Sequence, residues 1–156
     1  MLTPRETAAE LRNFPVVIEL PVQWGDQDMF GHVNNTVYFR WFESARIAYL
    51  ERLGLAHKVS SNNLGPILAA IGCNYRKQIK YPDTVQIGAR VSRLGRTSIT
   101  MEHHLWSQAN AAIGADGQST VVVFDYAANK PRAIPDDMRK MIEELEGQSF
   151  PRSSRQ

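Results

Sequence analysis

Trp24-Gly25-Asp26-Gln27-Asp28-Met29-Phe30-Gly31-His32-Val33-Asn34-Asn35 is a polar, glycine-punctuated stretch that runs straight into a long apolar segment. Upstream, Val16, Ile18, Leu20 and Val22 alternate in a strand expected from Val16 to Trp24, and Gly25 to Val33 reads as a loop. Downstream, Tyr38, Phe42, Ala45, Tyr49 and Leu53 recur at three- and four-residue steps. That is the period of a helix from about Asn35 to Leu53, with Gly54 as its stop. Val37, Trp41, Ala48 and Leu50 widen the apolar stripe, so the helix is expected to be wrapped by sheet over most of its girth. A helix start leaves backbone N–H groups without intrahelical acceptors, and Asn34 is a natural cap there. The junction therefore unites a carboxylate, a histidine and free N–H donors. A developing oxyanion beside an acid/base group needs that equipment.

The rest of the chain is mostly β in pattern. Ile67, Ala69, Ile71, Cys73 and Tyr75 alternate, as do Val85, Ile87, Ala89 and Val91, with Gln86, Arg90 and Ser92 on the opposite face. Ile99, Met101, His103 and Leu105 repeat the pattern, and Thr120 to Tyr126 is apolar on both faces, as in a central strand. A turn is expected at Leu94-Gly95-Arg96. Asp116-Gly117 spells either a hairpin turn or a glycine bulge within one long strand. Asp136 to Gly147 reads as a terminal helix, with Met138, Met141, Ile142 and Leu145 on one side. Residues 1–14 are expected to form a flexible leader, and 148–156 a flexible tail. One strand, a long helix and four further strands predict an α+β domain spanning 1–156, a curved antiparallel sheet covering a single helix. The exposed edge of such a sheet invites pairing with a second chain, so a homodimer or homotetramer is expected.

At 156 residues and 43% hydrophobic content, the chain can bury a core without disulfides or a structural metal. A net charge of +2, with no basic run, argues against nucleic acid as a partner. The single cysteine, Cys73, fits a reducing compartment. With no signal-like or membrane-spanning apolar run, a cytoplasmic protein without a membrane partner is expected. Cys73 reads as a small hydrophobe with no base beside it. His103 and His104 point to opposite faces of a strand, which argues against a metal site, and no cofactor is expected.

Trp24-Gly25-Asp26-Gln27-Asp28, Gly31-His32-Val33-Asn34-Asn35 and Tyr38-Phe39-Arg40-Trp41-Phe42-Glu43 resemble the hotdog-fold acyl-CoA thioesterases of the hydroxybenzoyl-CoA thioesterase type. Tyr81-Pro82-Asp83, Arg93-Leu94-Gly95-Arg96-Thr97-Ser98 and Ile134-Pro135 follow in the family's order, so the resemblance runs from about Val16 to Leu145. It implies a hotdog fold, hydrolysis of an acyl-CoA thioester, and sites built between two subunits. The second aspartate of the pair, Asp28, would be the catalytic carboxylate, and the backbone N–H of Asn35 would hold the thioester carbonyl. The CoA phosphates would lie on Arg93, Arg96 and Ser98, with Arg76 and Lys77 as further candidates. The resemblance also favours one long strand through Asp116-Gly117, with the turn near Gln108 to Asn110.

Each of these residues has a plainer reading. A lone loop aspartate caps a turn, but within this block Asp28 reads as catalytic. Asp26 is read as supporting the loop through side-chain hydrogen bonds. His32 is open between a place beside the substrate and a bond within the loop. Glu43, one turn from Arg40 and Arg46, reads as an ion-pair partner and is the reserve catalytic carboxylate. Arg90, Arg93 and Arg96 also fit a solvated sheet edge. Two alternatives to acyl-CoA hydrolysis stand beside the main reading: acyl carrier protein as the carrier, or a non-catalytic acyl-CoA sensor.

Overall fold

The computed structural model describes residues 3–55 and 63–152. Strand β1 (Val16–Pro21) leads through a short 3-10 turn at Trp24–Asp26 to helix α1 (Asn35–Arg52). There follow β2 (Leu64–Tyr75), β3 (Thr84–Leu94), β4 (Ser98–Ser107), β5 (Ala112–Asp125), the two-residue β6 (Lys130–Pro131) and helix α2 (Asp136–Glu146). The five long strands pair antiparallel in the order β1-β3-β4-β5-β2, and β6 pairs with β5. This is the α+β hotdog architecture, a curled sheet around one helix.

Helix α1 fills the sheet because its apolar residues fall at helical spacing. Tyr38, Trp41, Phe42, Ala45, Tyr49 and Leu53 are all buried. They meet the inward faces of β3 (Val85, Ile87, Ala89, Val91) and β4 (Ile99, Met101, His103, Leu105). The expected β1 is shorter than its apolar pattern, because Trp24 leaves the strand for the 3-10 turn and is exposed. Glu146 ties the two helices and the sheet together: one carboxylate oxygen accepts from the Tyr49 hydroxyl at 2.6 Å and from the Val91 N–H at 2.6 Å.

Three expectations need correction. The leader is packed: Leu11 is fully buried, and Phe14 lies against Gly88, where a Cβ would approach its ring to 2.6 Å. The polar face of β3 is therefore covered, with the Gln86 side chain bonded to Ala8, Glu6 and Glu19 and the Arg90 guanidinium over the Phe14 ring. At the other end, Phe150 is buried and its N–H donates to Glu143, while residues 153–156 of the expected tail lie outside the described residues. Finally, one long strand does run through Asp116-Gly117 with its turn just before it, as the resemblance implies, but the spelling is neither a hairpin turn nor a bulge, since it pairs in regular register with both neighbouring strands. The register shift on that side is at Gly114, opposite Leu105 and Trp106, and the reversal lies between Ser107 and Ala112. Gly117 has a packing role instead: a Cβ there would stand 2.6 Å from the Phe42 ring, so glycine lets α1 approach the sheet.

Candidate active site

The stretch from Asp26 to Asn34 closes on itself as a small ladder. The Asn34 N–H donates to the Asp26 carbonyl at 2.8 Å, Gln27 bridges Val33, and the Asp28 N–H donates to the His32 carbonyl at 2.9 Å. Gly31, at φ 78°, makes the reversal that a side chain would strain. Asp26 supports the loop as expected, its carboxylate accepting from the Gln23 N–H at 2.8 Å. The Val33 N–H then ties the loop to the Ile79 carbonyl at 2.8 Å.

This ladder delivers Asp28 and His32 to the start of α1. Asn34 is the N-cap, its side-chain oxygen accepting from the Thr36 N–H at 2.9 Å and the Thr36 hydroxyl at 2.8 Å. Asn35 is the first helical residue, and among the described residues no acceptor takes its N–H. Such a donor at the positive end of an 18-residue helix suits a negative oxygen.

Asp28, His32 and Asn35 line one cleft of about 360 Å³ together with Val33, Tyr38, Tyr75, Arg76, Lys77 and Gln78. One Asp28 carboxylate oxygen accepts from the Phe30 N–H at 2.9 Å, which fixes the side chain; the second has no partner among the described residues. The His32 imidazole makes no hydrogen bond among the described residues, and its part in the loop is played by its carbonyl. Tyr75 was not singled out in the sequence: its hydroxyl donates to the Asn35 carbonyl at 3.1 Å and pins the first turn of α1. Its ring meets Tyr38 edge-on at 4.9 Å, and burial pushes the Tyr38 hydroxyl up to about 12. The alternation ending at Tyr75 was visible, but its pairing with Asn35 spans 40 residues.

The basic candidates divide. Arg76 and Lys77 border the cleft, with the Arg76 guanidinium held on Asp116 at 2.6 Å. Arg93, Arg96 and Ser98 do not join them within one chain. They lie at the β3–β4 turn, where Ser98 faces Val122, whereas Tyr75 faces Ala115 on the same β5 strand. Seven residues of strand separate those levels, about 23 Å. That turn is fixed to α2 instead, through Arg139 donating to the Gly95 carbonyl at 2.8 Å. Glu43 is exposed and makes no ion pair among the described residues, so the expected bridges to Arg40 and Arg46 are absent there. Burial pushes the Cys73 thiol up to about 11, away from nucleophilic character.

The chain thus combines a curled sheet around one helix with a carboxylate and an open N–H in one cleft at the helix start. Residues 22–142 match the sequence profile of the Thioesterase-like superfamily, and the chain belongs to that family. A thioesterase from Thermus thermophilus, solved with coenzyme A and Zn, is 31% identical, with a TM-score of 0.79 over 89% of this chain and 99% of that one. PA2801 from Pseudomonas aeruginosa, described as a putative thioesterase, is 33% identical, with a TM-score of 0.74 over 83% of this chain and 98% of the other. The long-chain acyl-CoA thioesterase FadM of Escherichia coli is 25% identical over 118 residues, which is 76% of this chain and 89% of FadM. Among the described residues no helix is long and apolar enough to cross a membrane.

Proposed function

We propose that the protein hydrolyses acyl-CoA thioesters to a carboxylic acid and free CoA, with Asp28 and the Asn35 N–H as the working groups. The observation that carries this reading is the shared cleft, in which an immobilised carboxylate with one free oxygen sits beside an unclaimed helix-start N–H. The thioester oxygen accepts from the Asn35 N–H, which stabilises the charge that builds as the carbonyl carbon becomes tetrahedral. As base, the free Asp28 oxygen takes a proton from water while the water oxygen bonds to that carbon. The C–S bond then breaks, and the sulfur leaves as thiolate. As nucleophile, the Asp28 oxygen instead bonds to that carbon and expels the thiolate, and water then attacks the Asp28 carboxyl carbon of the mixed anhydride, releasing the acid. A thiol pKa of roughly 8.5 makes the leaving group good enough to do without a strong acid. His32 lies beside the reacting group, and single turnover in ¹⁸O water separates the two routes by labelling Asp28 in the second alone.

The working unit in this reading is a dimer. Strand β2 lies at the sheet edge and carries no charged residue in Leu64–Tyr75. Charge normally protects such an edge; β2 has a proline, Pro66, near its start but no charge along its length, and it leaves Leu68 and Tyr75 exposed. Antiparallel pairing of two β2 edges sets the Tyr75 end of one beside the Leu64 end of the other. The Leu64 end is the end that carries Arg96 and Ser98. Arg93, Arg96 and Ser98 of one subunit would then serve the cleft of its partner, joining Arg76 and Lys77 on the CoA phosphates.

The direct test is thiol release by the wild type from acetyl, benzoyl, octanoyl and palmitoyl esters of CoA and of acyl carrier protein. Turnover of CoA esters at the higher kcat/KM supports the reading. Preference for the carrier protein replaces CoA as the carrier, and tight CoA-ester binding without turnover makes the protein a sensor.

A further inference from the structure

Beyond the Asp28 cleft lies a second space. Two adjoining lobes of about 130 and 240 Å³ sit between the second half of α1, the β2–β5 half of the sheet and α2. Leu50, Leu55, Pro66, Ile99, Val121 and Met138 line both. Among the described residues, the charged ones on the lining are Glu43, Arg46 and Asp137, and the rest is almost wholly apolar. Empty apolar space forfeits dispersion contacts that a tightly packed core would make, so a cavity of this size suits an apolar guest.

The two elements that wall this cavity also wall the cleft. On α1, Asn35, Phe39, Glu43, Ile47 and Leu50 follow at steps of four, four, four and three, which is one face of a helix. Asn35 lines the cleft, and Glu43, Ile47 and Leu50 line the cavity. On β2, Tyr75 lines the cleft while Leu68 and Pro66 line the cavity, and the register shift between Leu68 and Ala70 turns both ends of the strand inward. Ile71 and Cys73, between them, are half-buried against the core.

We infer that this cavity receives the far end of a long, unbranched acyl chain, so that fatty-acyl thioesters are the preferred substrates. The inference rests on the thioesterase reading and adds the acyl class to it. Length sets the range. Glu43 is eight residues beyond Asn35 and Leu50 fifteen, about 12 and 22 Å along the helix. A saturated chain advances about 1.25 Å per carbon, given single bonds near 1.5 Å. The chain reaches the near wall at about ten carbons and the level of Leu50 at about eighteen. Acetyl and benzoyl groups stop short of it.

The test is the kcat/KM profile from butyryl- to stearoyl-CoA for the wild type, Val121→Phe and Met138→Trp, with circular dichroism to verify folding. Val121 is buried in the sheet wall and Met138 is half-buried on α2, so the two variants fill the cavity from opposite walls. In the wild type, kcat/KM rises about tenfold or more between octanoyl and palmitoyl as methylenes leave water. In both variants that gain shrinks to about threefold or less, with the octanoyl rate unchanged within about twofold. A wild-type profile that is flat or falls beyond octanoyl overturns the inference and leaves the thioesterase reading standing. Retention of the gain in both variants does the same. Calorimetry with palmitate, the free acid product, gives a readout independent of turnover: binding to the wild type that both variants lose supports the cavity, and no binding to the wild type overturns it.

Discussion

In the proposed mechanism the atom of Asn35 that serves the oxyanion is the backbone nitrogen, so replacing the side chain and removing the N–H are separable experiments. Asn34 already holds φ −60° and ψ 139°, the extended geometry that a following proline demands, and the first helical position accepts proline well. Asn35→Ala is expected to keep kcat within about tenfold of the wild type, whereas Asn35→Pro loses about 10²–10³ with the circular dichroism spectrum unchanged. Equal losses in the two variants would move the oxyanion contact elsewhere. This contrast was legible in the sequence, because capping is local: Asn34 and Asn35 are adjacent to the helix they start. Tyr75 was not legible in that sense. Its hydrogen bond to the Asn35 carbonyl exists because β2 folds back beside the helix N-terminus, and nothing in residues 64–75 alone announces it.

Among the elements, β4 bears the clearest consequence for stability. Its inward residue His103 is fully buried, stacked on Phe42 at 5.0 Å and bonded through Nε2 to the Ser119 hydroxyl at 2.9 Å. Burial first, then the nearby Arg46 and His104, pulls its pKa down to about 3 from an ordinary 6.5. Below pH 6.5 the unfolded chain binds a proton that the folded chain refuses. The stabilising contribution is therefore whole above pH 6.5 and is lost progressively as the pH falls toward 3. Between pH 7 and 4.5 this group alone removes on the order of 2–3 kcal/mol. Urea denaturation across that range is expected to show a steep decline for the wild type and a distinctly shallower one for His103→Gln; parallel curves would contradict it. The same strand pair explains a misleading spelling. Asp116-Gly117 looks like a turn because local preference is all that a dipeptide displays, yet its glycine answers to Phe42 on a helix 75 positions earlier. The long helix and β4 were legible because their periodicity is carried by many residues at once. The leader was not, since covering β3 requires only Leu11 and Phe14.

For the whole molecule, the proposed dimer links assembly to turnover through the uncharged β2 edge. Light scattering is expected to give the wild type a mass of at least twice 17.6 kDa. Ala70 is exposed near the middle of β2, so Ala70→Lys sets like charges against each other across a two-fold pairing and shifts the protein toward monomer. With the partner's Arg96 and Ser98 removed from the cleft, kcat/KM should fall about tenfold or more. A fully active wild-type monomer would contradict the shared site. The central claim, however, is that Asp28 drives thioester hydrolysis at this cleft, and one comparison tests it most directly: steady-state thiol release by the wild type and Asp28→Asn from the same CoA ester, with CoA binding measured alongside. The account predicts a fall in kcat of about a hundredfold or more with binding retained, whereas an Asp28→Asn enzyme that turns over at the wild-type rate would contradict it and direct attention to Glu43.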